Sequence, residues 1–152
     1  MAVAVAHAVA DGFTHVAFGD LFLEDVRRYR EEKLAGSGLE PLFPVWGIPT
    51  RQLAEEMIDG GLRARLACVD TRALDASFVG RDFDRALLRD LPATVDPCGE
   101  KGEFHSCVYA GPMFKEPLSL ETGETHSVTP YVWADLKVGL YDRGGAPSAA
   151  PE

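Results

Sequence analysis

Residues 96–114 read DPCGEKGEFHSCVYAGPMF, and the order of chemistry in that stretch decides how the rest of the chain is read. It opens as a polar loop with glycines at 99 and 102, continues as a short strand, Phe104–Tyr109, and turns at Ala110-Gly111-Pro112. Glu100 and Glu103 stand three residues apart, and His105 stands two beyond the second carboxylate. In an extended segment Glu103 and His105 project to the same side, because strand side chains repeat every second residue. Such a trio can bind magnesium, position an amine or transfer a proton. The same pattern also describes a solvated turn running into a half-buried strand, and spacing alone leaves both readings open. Asp96 and Cys98 enlarge the cluster, but tight zinc sites want several thiolate or imidazole ligands and only one of each is present. Cys98 has the base that a thiol nucleophile needs only if the loop folds back to bring His105 to it.

Working outward, Asp82–Arg89 reads as a short helix closed by Pro92, and Arg63–Val69 (RARLACV) as a strand. Thr50 can cap a helix over 51–59, which Gly60-Gly61 stops. Pro41–Trp46 (PLFPVW), with two prolines, suits an irregular strand rather than a central ladder position. Leu21–Ala35 reads as an amphipathic helix with Asp20 at its N-cap, after a short buried strand, Thr14–Phe18, and the turn Gly19-Asp20. The alanine-rich start at 2–10 forms a short helix ending near Asp11-Gly12. Alternating helices and strands predict an α/β layer with parallel strands. Beyond the loop, Tyr131–Tyr141 reads as a late strand paired antiparallel with Phe104–Tyr109, giving a mixed or antiparallel C-terminal region. One domain is expected over residues 1–140, with a flexible tail at 141–152 that is rich in proline and small residues. In such folds ligands gather beyond the carboxyl ends of the strands, which singles out Gly19-Asp20 with Glu24, Trp46-Gly47, and Asp70 with Arg72. Loop 96–103 has to fold over the same edge to join them.

The chain has 152 residues, 46% of them hydrophobic, enough for a real core. Its net charge of -9 disfavours non-specific nucleic-acid binding. Cys68, Cys98 and Cys107 are too few and too scattered for a secreted disulfide scaffold, which points to a reducing cytoplasm. No apolar run approaches the ~20 residues needed to span a bilayer, so no membrane partner is expected.

Several segments together carry a resemblance: FGDLFLEDVRRYRE at 18–31, PLFPVWG at 41–47, FVGRDFD at 78–84 and DPCGEKGEFHSCVYAGPMF at 96–114. They resemble the ATP-binding family of diphthine–ammonia ligase, a branch of the adenine nucleotide alpha-hydrolase-like, PP-loop fold. The resemblance implies an α/β, HUP- or Rossmann-like layer. It also implies ATP with Mg2+ as cofactors, a small or protein-borne carboxylate substrate that is adenylated, and ammonia that attacks to make an amide. Carried onto this chain, Gly19, Asp20, Glu24 and Arg28 fall to the nucleotide side, and Glu100, Glu103 and His105 to the acceptor and ammonia side as catalytic candidates. The alternative is a domain that binds a metabolite or protein segment through the Glu100/Glu103/His105 pocket without catalysis. The SGGKDS-type phosphate loop of that family does not occur in these residues. The chain therefore reads as a relative without its first two strands, incomplete or inactive in this form, completed by self-association or by a preceding segment.

Overall fold

The computed structural model describes residues 2–139, so the expected end of the last strand at Tyr141 and the tail at 141–152 lie outside the described residues. The chain divides into two compact units, one up to Gln52 and one from Leu53 onward. It is a mixed α/β protein with a parallel strand pair in the first unit and an antiparallel four-stranded sheet in the second.

The first unit opens with α1 (Ala2–Ala10), which ends where Gly12 adopts φ 87° and the Phe13 amide returns to the Ala8 carbonyl. A left-handed residue of this kind is the usual way to stop a helix. β1 (His15–Ala17) then pairs in parallel with β2 (Glu40–Leu42), and α2 (Glu24–Leu34) lies between them in sequence. Asp20 does not cap α2: the N-cap is Leu23, which makes no side-chain cap bond. The helix begins three residues later than a cap at Asp20 requires, with Glu24 and Asp25 in its first turn, where the helix dipole favours acidic side chains. Asp20 instead accepts a 3.3 Å bond from Arg30, one face further along the same helix.

The second unit is built on β3 (Arg63–Asp70), flanked by β4 (Phe104–Ala110) on one side and by β6 (Tyr131–Gly139) and then β5 (Ser119–Val128) on the other. All three pairings are antiparallel, so β3 does not extend the parallel layer. β6 accordingly pairs with β3 and β5 rather than with β4. The reason lies in the burial pattern. Ala64, Leu66 and Val69 on β3 are essentially fully buried, and a strand with that inner face takes the central place, leaving β4 at the edge. β6 meets β3 only over Cys68–Asp70; beyond that point residues 80–83 take its place, with Gly80 and Arg81 bonding to Leu66 and Phe83 to Ala64. α4 (Arg85–Asp90) follows, capped by Asp84, whose carboxylate accepts from the Leu87 amide at 2.7 Å. Leu87 and Leu88 of α4 join Ala54 of α3 (Thr50–Asp59), Leu66, Val69, Leu74, Phe78 and Phe104 in a single core.

Candidate functional site

The loop from Asp96 to Glu103 is organised by its two end carboxylates. Glu103 is buried, with 6% of its surface exposed, and its two oxygens accept from the backbone amides of Asp96 and Lys101, each at 3.0 Å. Asp96 works in the opposite direction, its Oδ1 accepting from the amides of Cys98 (2.9 Å) and Glu100 (3.3 Å). A carboxylate that accepts two amide bonds is well compensated for its burial. Gly99 and Gly102 make the required turns, with φ of 69° and 83°. At Gly99 any side chain forces a shift, because a Cβ would lie 2.9 Å from the Phe104 carbonyl oxygen.

The loop is also fastened to the sheet. The Asp70 amide donates to the Glu103 carbonyl at 2.9 Å, one rung beyond the Val69–Phe104 pair that ends the β3–β4 ladder. That bond puts the exit of the loop beside the carboxyl end of β3. There Asp70 holds Arg72 through Nε and Nη2, and this hydrogen bonding keeps the Asp70 carboxyl below its usual range. Thr71 is fixed in turn, its amide and its hydroxyl both donating to the Pro130 carbonyl, at 2.8 and 2.7 Å.

Glu103 and His105 do not share a face: Glu103 is buried and His105 is exposed. The strand starts only at Phe104, so Glu103 belongs to the turn and the two-residue repeat does not reach it. Glu100 is half-buried within the loop. His105 instead takes its place in a row across the sheet, because Cys68 is its partner on β3, Trp133 the partner of Cys68 on β6, and His126 the partner of Trp133 on β5. Directly paired residues project to the same face. The adjacent row, Phe104, Val69 and Val132, is buried in the core, so the His105 row lies on the opposite face. His126 stacks on Trp133 with ring centroids 5.6 Å apart and bonds Asp135 at 3.1 Å. Cys68, Trp133 and His126 were not candidates in the sequence, since only the strand pairing aligns them with His105. Among the described residues, no three His, Cys, Asp or Glu groups converge as a metal site.

Cys98 sits half-buried against the core, and burial together with Asp96 and Glu100 pushes its thiol up to about 11. A thiol so raised is protonated and inert at neutral pH. A cleft of about 190 Å³ lined in part by Ile58, Leu62, Arg63 and Tyr109 shares no residue with the loop, and it is smaller than the roughly 300–1,000 Å³ of usual ligand sites.

In the first unit the segments 18–31 and 41–47 come together through their aromatic and arginine side chains. Phe18 stacks on Phe43 at 5.7 Å, Arg27 lies 4.7 Å over Phe43 and 4.8 Å over Trp46, and Arg30 lies 4.9 Å over Phe18. Each guanidinium–ring contact is worth about 0.5–1 kcal/mol where exposed. The Gly47 amide closes the arrangement on the Leu21 carbonyl at 2.8 Å. Trp46 is thus a partner of Arg27. Gly19 and Arg28 are exposed, as is Glu24 at the start of α2.

These features meet in a known family. The diphthamide synthase C-terminal domain matches residues 49–139, more than half of the chain, and the chain belongs to that family. Over 112 residues, 70% of its length, it is 28% identical to the diphthine–ammonia ligase of Schizosaccharomyces pombe. Over 117 residues, 72% of its length, it is 29% identical to the diphthine–ammonia ligase of Bos taurus. The matched region covers 18% of the yeast protein and 44% of the bovine one, so the chain corresponds to less than half of either relative. Among the described residues, no helix is long and apolar enough to cross a membrane.

Proposed function

We propose that this chain supplies the acceptor side of an ATP-dependent amide ligase, in which a carboxylate is joined to ammonia. The observation that carries this reading is the fastened loop Asp96–Glu103, in the part of the chain that defines the family. A carboxylate anion is a poor electrophile, so amide formation at neutral pH needs prior activation, which ATP would supply by adenylating the carboxylate with release of pyrophosphate. The amide would then form as ammonia displaces AMP at the acyl carbon. The attacking nitrogen must shed a proton. His105, exposed on the sheet face, is the group we assign to accept it, with Glu100 holding the ammonia or acceptor end. Glu103 has both oxygens engaged by backbone amides, so its part is to set the loop's shape rather than to touch substrate.

Gly19, Asp20, Glu24 and Arg28 are assigned to the nucleotide side on the strength of the resemblance. Asp20 is already held by Arg30, which leaves exposed Arg28 as the best placed of the four to meet a phosphate. Among the described residues no glycine-rich run opens a helix as a polyphosphate cradle requires, and no carboxylate cluster offers a magnesium site. These residues by themselves therefore do not fit the triphosphate and its metal, and no step is routed through them.

The second reading is a domain that binds an acidic metabolite or a protein segment without ATP chemistry. It is favoured by the complete engagement of Glu103, which removes one of the three groups that an acid–base site would use. Replacing Glu100 and His105, each by glutamine, in a protein that joins this chain to a nucleotide-binding segment separates the two. Loss of amide formation with folding intact supports the ligase reading, and unchanged amide formation favours the binding domain.

A further inference from the structure

The turn after β3 carries an arginine that is both firmly oriented and mostly exposed. Asp70 is fixed first: its amide donates to the Glu103 carbonyl, and its own carbonyl accepts from the amides of Ala73 and Leu74, at 2.9 and 3.0 Å. The Asp70 side chain, 12% exposed, accepts from the Arg72 amide at 3.0 Å and from Arg72 Nε at 2.9 and 3.1 Å, and Nη2 completes the fork. The Arg72 side chain is nevertheless 69% exposed. Asp70 engages the edge of the guanidinium formed by Nε and Nη2, so the end formed by Nη1 and Nη2 is left for a second partner. Among the described residues no second carboxylate pairs with Arg72, and the Tyr131 hydroxyl stands close enough to favour its charge. Asp70 lies two residues from Cys68 on β3, and its partner Tyr131 two residues from Trp133 on β6. The group therefore shares the outer face of the sheet with the His105 row.

We propose that Arg72, set by Asp70, holds an oxyanion of a ligand, a carboxylate or a phosphate, on this face of the sheet. The class of ligand follows from the donors. Two parallel N–H bonds from the end of a guanidinium match the paired oxygens of either group, and prior orientation lowers the entropy lost on binding. An ion pair kept only for stability gains little from an arginine this exposed. The chain's net charge of -9 gives anions no long-range attraction, and Asp70 offsets the local cation. Recognition therefore rests on the fork and not on charge alone. The proposal deepens the acceptor-side reading, and only the choice of the acceptor's carboxylate over a phosphate rests on that reading. Arg72 is then a binding residue: it fixes one end of the acceptor on the face where His105 stands, and it takes no proton itself.

Titration of the full chain with sodium acetate and with sodium phosphate, followed by NMR at fixed pH and at ionic strength matched with chloride, tests this. The amide resonances of residues 70–72 and of Tyr131 are expected to shift saturably at millimolar anion, and chloride alone to leave them in place. Arg72→Gln removes the fork and is expected to weaken binding about ten-fold or more. Arg72→Lys keeps the charge without the fork and is expected to weaken it several-fold. Arg89→Gln removes one positive charge from the exposed last turn of α4 and is expected to change nothing. Saturation by acetate assigns the anion to the acceptor's carboxylate, whereas saturation by phosphate alone keeps the site and assigns it to a phosphate. A wild-type chain with no saturable shift in either anion overturns the proposal. A folded Arg72→Gln or Arg72→Lys chain that titrates like wild type overturns it as well. The readout needs no amide formation, so the ligase reading and this site fail separately.

Discussion

Replacing Glu103 tests the organisation of the candidate site most directly. Its carboxylate, 6% exposed, is the acceptor for two backbone amides, those of Asp96 and Lys101. Glu103→Ala leaves both amides without that acceptor, at about 1–3 kcal/mol each, so a total loss of about 2–6 kcal/mol is expected. Glu103→Gln keeps the shape but offers one amide an NH2 group where it needs an oxygen, and about 1–3 kcal/mol should be lost. With a urea slope of about 2 kcal/mol per molar, these losses move the unfolding midpoint down by about 1–3 M for Ala and about 0.5–1.5 M for Gln. The assay is urea unfolding of the full chain followed by tryptophan fluorescence. Glu121→Gln on exposed β5 serves as control and should stay within about 0.5 kcal/mol of wild type. If Glu103→Gln unfolds at the wild-type midpoint, the carboxylate does not hold the loop, and the assignment of Glu103 to shape rather than chemistry is refuted.

The two loop glycines should separate conformational strain from collision. Gly102→Ala meets nothing within 4 Å and carries only the left-handed backbone cost of about 1–2 kcal/mol, whereas Gly99→Ala also drives a Cβ to 2.9 Å from the Phe104 oxygen. Melting temperatures should therefore fall in the order wild type, Gly102→Ala, Gly99→Ala. Cys98 gives a pH signature. Its folded thiol value, about 11, lies above the ordinary 9.0, so the folded state holds the proton that the unfolded state releases. Stability from this group is complete below pH 9 and declines as pH rises towards 11, and Cys98→Ala should flatten that decline in denaturation midpoints measured between those limits.

Much of the element pattern was legible because it rests on local chemistry. Gly12 and Gly60-Gly61 stop their helices, Pro92 follows α4, and the buried alternation of RARLACVD marks β3. Strand β5 was not legible. SLETGETHSV has apolar residues only at Leu120 and Val128, a glycine at 123, and an irregularity in pairing between Thr122 and Thr125. It is an edge strand exposed along most of its length, and its pairing with β6 rather than its own pattern defines it. Without β5, the sequence offered β6 no neighbour except β4, which explains the wrong partner. The motif at 96–105 was visible as a cluster of chemistry, but the direction of Glu103 was not. That direction depends on where the strand begins and on which amides lack partners, and both are settled by tertiary packing. Asp20 shows the same limit, since a carboxylate four residues before a helix has the composition of a cap and finds a better partner in Arg30.

The fastening of the loop at both ends has a consequence for sequence change. Asp96 anchors the entry, Glu103 anchors the exit, and the sheet holds the exit through Asp70, so the path of the intervening backbone is prescribed by groups outside it. The bonds from Cys98, Glu100 and Lys101 to the two end carboxylates run through their amides. The backbone path at 98–101 is thus set by the side chains of 96 and 103 and by the turn at Gly99. A designer seeking a different acceptor would treat those three positions as the frame of the loop and leave them alone.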